Sequence, residues 1–256
     1  MRIVSFFFVL AVVALVEVLA PKRRLTVAKT GRWLNNLGII LIDSLLVRLV
    51  FPVAAMGGAV TARQHGWGVL NIVPLPGWLS VILAVVVLDL VIYLQHVMFH
   101  IVPVLWRLHM VHHADLDIDV TTGLRFHPVE ILISMLIKMA AVFVIGPPVE
   151  AVLLFEILLN GSAMFNHGNI ALPEKVDRYL RLLLVTPDMH RVHHSVIRRE
   201  TNSNYGFNLS CWDRLFGTYR AQPAKGHTGM TIGLSRFRRP EQVTLLRLLL
   251  MPVLRR

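Results

Sequence analysis

Eight of the twelve histidines in this 256-residue chain fall in three short runs: His96 and His100 in HVMFH, His109, His112 and His113 in HMVHH, and His190, His193 and His194 in HRVHH. On a helix, positions i, i+3 and i+4 share one face, so each run aims two or three imidazoles at a common point. That is metal-ligand geometry. Imidazole suits zinc, copper, iron and nickel, and eight neutral nitrogen donors exceed what one tetrahedral or octahedral ion accepts, so at least two ions are implied. Isolated histidines such as His65 and His227 read instead as satisfied polar side chains. The clustered ones do not, because their neighbours are mostly Val, Met, Leu and Phe and offer few hydrogen-bond partners.

Other metal chemistries fit less well. A membrane zinc hydrolase needs a water-activating glutamate, and neither HMVHH nor HRVHH supplies the one found in HExxH or HxxEH. A haem-binding carrier needs only one or two axial ligands, and a metal transporter places its site near the bilayer midplane. The single cysteine, Cys211, excludes an internal disulfide framework, a thiolate zinc site and a cysteine-ligated iron–sulfur cluster.

The elements that must position these histidines are dictated by a membrane. The chain is 55% hydrophobic and 16% charged, with a mean hydropathy of +0.62, too apolar for a water-facing surface. Five stretches approach the length that crosses a bilayer: 3–20, 33–60, 77–100, 129–146 and 149–170. The first reads as an uncleaved anchor, because Lys22, Arg23 and Arg24 follow its apolar run and only Arg2 precedes it. With this parity, 22 of the 26 Lys and Arg fall in 21–32, 101–128 and 171–256, which the positive-inside rule assigns to the cytoplasm. The three histidine runs then lie on that one side. Net charge is +11, which on a membrane protein speaks of the cytoplasmic face and anionic lipid rather than nucleic acid. The sequence therefore predicts an all-α membrane protein of about five transmembrane helices, with a cytoplasmic histidine-rich helical cap holding a dimetal site. Its expected divisions are an N-terminal transmembrane hairpin with outer loop (1–76), a catalytic domain (77–220) and a basic tail (221–256). Residues 242–254 suit a helix on the membrane surface or one packed on the protein.

Asp89, Tyr93, His96 and His100 share one helical face, and an aspartate within a span is presumed functional. Asp89 is expected either to orient a ligand imidazole or to pair with Arg48. Tyr93 and Asp188 are further candidates for supporting the ligands, whereas Glu130 and Asp188 can equally begin helices.

The words DLVIYLQHVMFH, WRLHMVHH, RFHPVE, FNHGN, HRVHHS, NYGFN and WDRLFGT, in this order from Asp89 to Thr218, resemble the fatty acid hydroxylase and sterol desaturase superfamily of membrane di-iron oxygenases. The resemblance implies two iron ions, replaceable by zinc in purified protein, and dioxygen as co-substrate. It also implies a fatty acyl, sterol or isoprenoid lipid that is hydroxylated or desaturated, and a separate electron donor such as a ferredoxin, cytochrome or reductase. Carried over by motif, the ligands are His96, His100, His109, His112, His113, His167, His190, His193 and His194, with His127 as a ligand or a support to them. The substrate stays open. A lipid methylene has no acidic proton and no leaving group, which is why acid–base or nucleophilic catalysis alone has no handle on it.

The charge distribution makes a topological prediction. Cysteines introduced in 61–76 label from outside the cell, whereas those in 101–128 or 171–256 label only after the membrane is opened. Labelling of 61–76 and 171–256 from one side would overturn the five-span arrangement.

Overall fold

The computed structural model describes residues 2–254, and among these every regular element is a helix. Five segments are long and apolar enough to cross a membrane. Helix α1 spans Arg2–Leu19. The second segment is broken: α2 runs Lys29–Val50, and α3 (Ala54–His65) and the short α4 (Val69–Ile72) follow. An unbroken helix over 33–60 was expected, but Pro52 lacks an N–H and its ring opposes a helical predecessor, so α2 stops before it. The remaining spans are α5 (Gly77–Ile101), α7 (Pro128–Ile145) and α8 (Val149–His167), with α6 (Pro103–His113) between α5 and α7.

Side chains such as Phe7, Phe8, Leu41, Leu45, Ile82, Leu94, Leu136 and Val144 are exposed on these segments, an apolar belt that a bilayer would cover. Inside, Leu88 and Ile92 of α5 pack with Val142 of α7 and Val152 and Phe155 of α8. Helix α3 reaches α7 and α8 through Ala55, Gly58, Ala59 and Ala62, small residues that let membrane helices approach closely.

All five segments meet the cap at one end. Glu17 near the end of α1 accepts backbone N–H groups of Val120 (2.7 Å) and Asn169 (2.9 Å). Arg32 in the first turn of α2 forks onto Asp115 (2.6 and 2.8 Å) and reaches Asp119 (2.7 Å). The C-terminal ends of α5 and α8 and the start of α7 complete the group, so the three histidine runs meet at one end of these helices. Burial alone would raise the Asp115 carboxyl, but the Arg32 guanidinium and its hydrogen bonds hold it well below the usual carboxylate range.

The cap continues through α9 (Glu174–Leu180) and α10 (Pro187–His193) to the short terminal helix Leu245–Leu250. That helix packs on α2, where the Leu245 amide donates to Asn35 Oδ1 (2.9 Å), and it leaves Leu246 and Leu250 exposed. Arg255 and Arg256, which end the expected surface helix, lie outside the described residues.

The Arg32 network is nearly dry, both partners being at most 5% exposed. Replacing Arg32 by Met strands two buried carboxylates and is expected to destabilise the protein by about 3–5 kcal/mol. Thermal unfolding in detergent would show it, with Arg178→Ala, at the exposed pair with Glu174, as the unshifted control.

Candidate metal centre

Each histidine run is positioned by a local chain reversal or helix start. Helix α5 ends at Ile101 because Val102 precedes Pro103, and Pro103 then opens α6 from its first turn. The reversal lays HMVHH against HVMFH. His96 meets His109 and His100 meets His113, each pair with Nε2 atoms 3.2 Å apart. Helix α10 starts on Thr186, whose hydroxyl accepts from Met189 N–H, followed by Pro187. Gly123 admits His167: a Cβ there would stand 2.5 Å from Ala163 O and 3.1 Å from His167 Nδ1.

The imidazoles assemble into two groups. One holds His96, His100, His109, His113 and His193, the other His112, His167, His190 and His194, and in each the candidate donor atoms lie within 4.8 Å of one another. The two groups abut, His113 stacking on His194 with ring centroids 4.6 Å apart. Sequence spacing suggested that each HxxHH run aims all its rings at one point. In the structure the run divides: His109 and His113, four apart, share a group while His112 joins the other, and His190 and His194 pair while His193 crosses over. Neighbouring residues on a helix diverge by about 100°, so an HH dipeptide serves two sites.

Tautomers decide what the groups can hold. Nδ1–H of His96, His193, His112 and His167 is directed at the carbonyl oxygens of Tyr205 (2.7 Å), Ser203 (2.7 Å), Arg125 (3.0 Å) and Ala163 (2.6 Å), and that of His109 at Glu130 Oε1 (2.6 Å). The four carbonyls have no proton to offer, so Nδ1 of His96, His193, His112 and His167 must be the donor and the Nε2 of each carries a lone pair. Yet Nε2 of His112 faces that of His167 at 3.1 Å. Two lone pairs at that distance repel unless a cation stands between them. Nitrogens bound at ~2.0–2.1 Å to one ion at tetrahedral to right angles are separated by roughly 2.8–3.4 Å, so the spacing fits shared coordination. His193 Nε2 and both nitrogens of His194 have no hydrogen-bond partner, again as ligands require.

Burial enforces the neutral form. It pushes His109 down to about 3, and it lowers His112, His113, His190, His193 and His194 well below the ordinary value, neighbouring histidines adding to the effect at all five. Phe126 stacks on His112 at 4.4 Å and Trp106 covers His100 at 4.9 Å. The site is buried and could hold metal.

Other expected site residues lie elsewhere. His127 belongs to neither group: its Nδ1 accepts from Val129 N–H (3.2 Å), its Nε2 lies 3.1 Å from Leu249 O, and it caps α7. Asp89 contacts neither an imidazole nor Arg48. It receives Asn208 Nδ2 (2.7 Å), Leu209 N (3.1 Å) and Trp212 Nε1 (2.8 Å), tying α5 to the loop that carries the Tyr205 carbonyl. Tyr93 bonds to Thr218 (2.9 Å), and Asp188 pairs with Lys22 (2.8 Å) and Arg191; neither touches a grouped imidazole. His65 stacks on Trp67, and His227 is buried near Asp188 with neither ring nitrogen hydrogen-bonded. The supports that sequence reasoning passed over are Glu130, set aside as a helix start, Asn202 beside His100 Nδ1 (3.3 Å), and the four carbonyls.

The sequence profile of the fatty acid hydroxylase family matches residues 81–218, more than half of the chain and all nine grouped histidines. The chain belongs to this family. An ornithine lipid hydroxylase of Rhizobium tropici is 27% identical over 90% of this chain and 70% of its own length. Alkylglycerol monooxygenases of Homo sapiens and Xenopus tropicalis are 32% and 30% identical over 62% and 72% of this chain, which spans only 34% and 41% of their lengths. No solved structure matches.

Acidification tests the neutral-imidazole argument. The folded values lie below the unfolded value of about 6.5, so the unfolded chain binds more protons below that pH. Metal-free protein therefore keeps its stability above about pH 6.5 and loses it progressively as pH falls toward 3, which an unfolding series across pH would record. Chelator competition distinguishes supports from bystanders. Glu130→Leu is expected to weaken metal binding about 10–100-fold, the usual effect of removing an imidazole's outer partner, while His127→Ala retains the wild-type content.

Proposed function

We propose that this chain is a membrane di-iron oxygenase that inserts one oxygen atom of dioxygen into a carbon–hydrogen bond of a polar-headed lipid. The observation that carries the reading is the pair of abutting all-imidazole groups, dry and set at the ends of apolar helices. Membership of the fatty acid hydroxylase family and the named activities of its relatives support an oxidoreductase acting on lipid. The proposed ligands are His96, His100, His109, His113 and His193 for one ion and His112, His167, His190 and His194 for the other.

Bound iron would supply dioxygen activation and the two-electron oxidation that side chains alone cannot perform. The protein's part is positional. Carbonyl acceptors hold four of the rings in the tautomer that presents Nε2, and Glu130 orients His109 through its Nδ1. Phe99, Phe126, Trp106 and Phe207 keep water from the imidazoles, and the spans confine an apolar chain near them. Hydroxylation consumes two external electrons, so a separate donor is part of the proposal. The cap is assigned to the cytoplasmic face on the Lys and Arg distribution.

The test is an isotope experiment. Iron-loaded protein in lipid bilayers, given reductant and ¹⁸O₂, is expected to yield lipids one ¹⁸O atom heavier, and His193→Ala to yield none. Product formed without dioxygen, or oxygen derived from water, would refute an oxygenase. An alkene without label would shift the reading to desaturation.

A further inference from the structure

A line of rings leaves the five-histidine group and ends at the surface. The Tyr205 ring lies against His96, His100 and His193 with centroids 5.5, 5.0 and 5.6 Å away. Tyr93 meets Tyr205 edge-on at 6.4 Å, and Phe216 stacks on Tyr93 at 5.3 Å. Tyr93 and Tyr205 are 1% and 4% exposed, whereas Phe216 is 50% exposed. The line therefore spans the distance from buried imidazoles to the outside in three rings.

The hydrogen bonds along it have a direction. Asp213, wholly buried, accepts the Thr218 hydroxyl (2.7 Å) and the N–H groups of Tyr205 (2.7 Å) and Gly206 (2.9 Å). Because Thr218 gives its proton to the carboxylate, the Tyr93 hydroxyl, 2.9 Å away, must donate to Thr218 Oγ1. A phenol is thus wired through one hydroxyl to a carboxylate that burial pushes up despite these bonds, and so toward taking a proton.

We infer that Tyr93, reached through Tyr205, is a redox-active phenol that returns an electron to the metal pair when dioxygen has oxidised it with no lipid in reach. This rests on the oxygenase reading above. One electron leaves Tyr93 by way of the Tyr205 ring. The O–H bond of Tyr93 breaks as one forms at Thr218 Oγ1, and the Thr218 proton passes to Asp213 Oδ1. The products are a neutral Tyr93 radical, a protonated Asp213 and a metal pair reduced by one electron. A one-electron donor of the class that supports turnover restores Tyr93 from the Phe216 side, and the proton returns from Asp213. Such a route spares the nine histidines, which are the nearest oxidisable groups.

Iron-loaded protein mixed with reductant and dioxygen without added lipid, then frozen, is the material for the test. Wild type is expected to show a radical by electron paramagnetic resonance whose splitting collapses when ring-deuterated tyrosine is incorporated. Tyr93→Phe should lack it, while the initial rate of lipid oxidation with lipid in excess stays near wild type. Peptide mass spectrometry of that variant should find several-fold more oxygen added to the segments bearing His96 to His113 and His190 to His194. Thr218→Val, which breaks only the proton path, should slow the appearance of the radical. If wild type oxidises lipid yet shows no tyrosyl radical, or Tyr93→Phe keeps both the radical and the wild-type level of histidine oxidation, the inference fails and the oxygenase reading stands. Wild type that oxidises no lipid removes both.

Discussion

Imidazole lone pairs held face to face in a dry interior are the constraint on which the rest of this structure depends. Backbone carbonyls take the Nδ1 protons of His112 and His167, so their Nε2 atoms meet at 3.1 Å with nothing to exchange. Without a cation the arrangement is repulsive, and burial denies it the remedy of protonation, which would place like charges in contact. A metal held by these donors would therefore be linked energetically to the fold, because coordination would relieve the repulsion.

Holding such a site requires rigidity that a bilayer does not supply. Apolar helices gain little by associating in lipid, since hydrocarbon solvates them as well as each other does, so the ordering must come from packing and polar contacts at the cap. Arg32, Asp115 and Asp119 fill that need. Arg32 locks α2 to the loop after HMVHH, and Arg125, beside Asp115 at 3.5 Å, offers its carbonyl to His112. Asp89 performs the same service for α5 and the 205–212 loop. Charges that looked like direct partners of the ligands act one layer further out, fixing the backbone whose carbonyls then fix the rings.

That layering explains what was legible in the sequence. The spans were visible because bilayer thickness imposes a length and a composition, and the shared sidedness of the runs followed from where Lys and Arg fall. Eight ligand candidates were visible because imidazoles at helical spacing have no bland use among Val, Met and Phe, and His167 only through the family resemblance of FNHGN. The broken second span was written in Pro52, which the apolar character of 33–60 masked. Glu130 was undervalued because its partner, His109, lies 21 residues away, and sequence proximity pointed to His127 instead. Carbonyl acceptors from Tyr205, Ser203, Arg125 and Ala163 have no side-chain signature at all. Nor could spacing alone show that each HxxHH run is shared, since i+3 and i+4 positions lie on one face only to within the width of an imidazole.

The shared runs carry a consequence for how two ions act together. Helix α5 serves only the five-histidine group and α8 only the four-histidine group, but α6 and α10 each contribute to both through His112–His113 and His193–His194. The separation of the groups is thus set by one dipeptide within α6 and one at the C-terminal end of α10, rather than by loops. Any movement of α6 or α10 displaces ligands of both groups at once. Were two iron ions held there as proposed, a fixed separation would let both take part in a two-electron oxidation of a carbon–hydrogen bond. Placing adjacent residues of one helix in different groups couples the halves by covalent geometry, leaving the aromatic line at Tyr205 to deal with whatever oxidation finds no substrate.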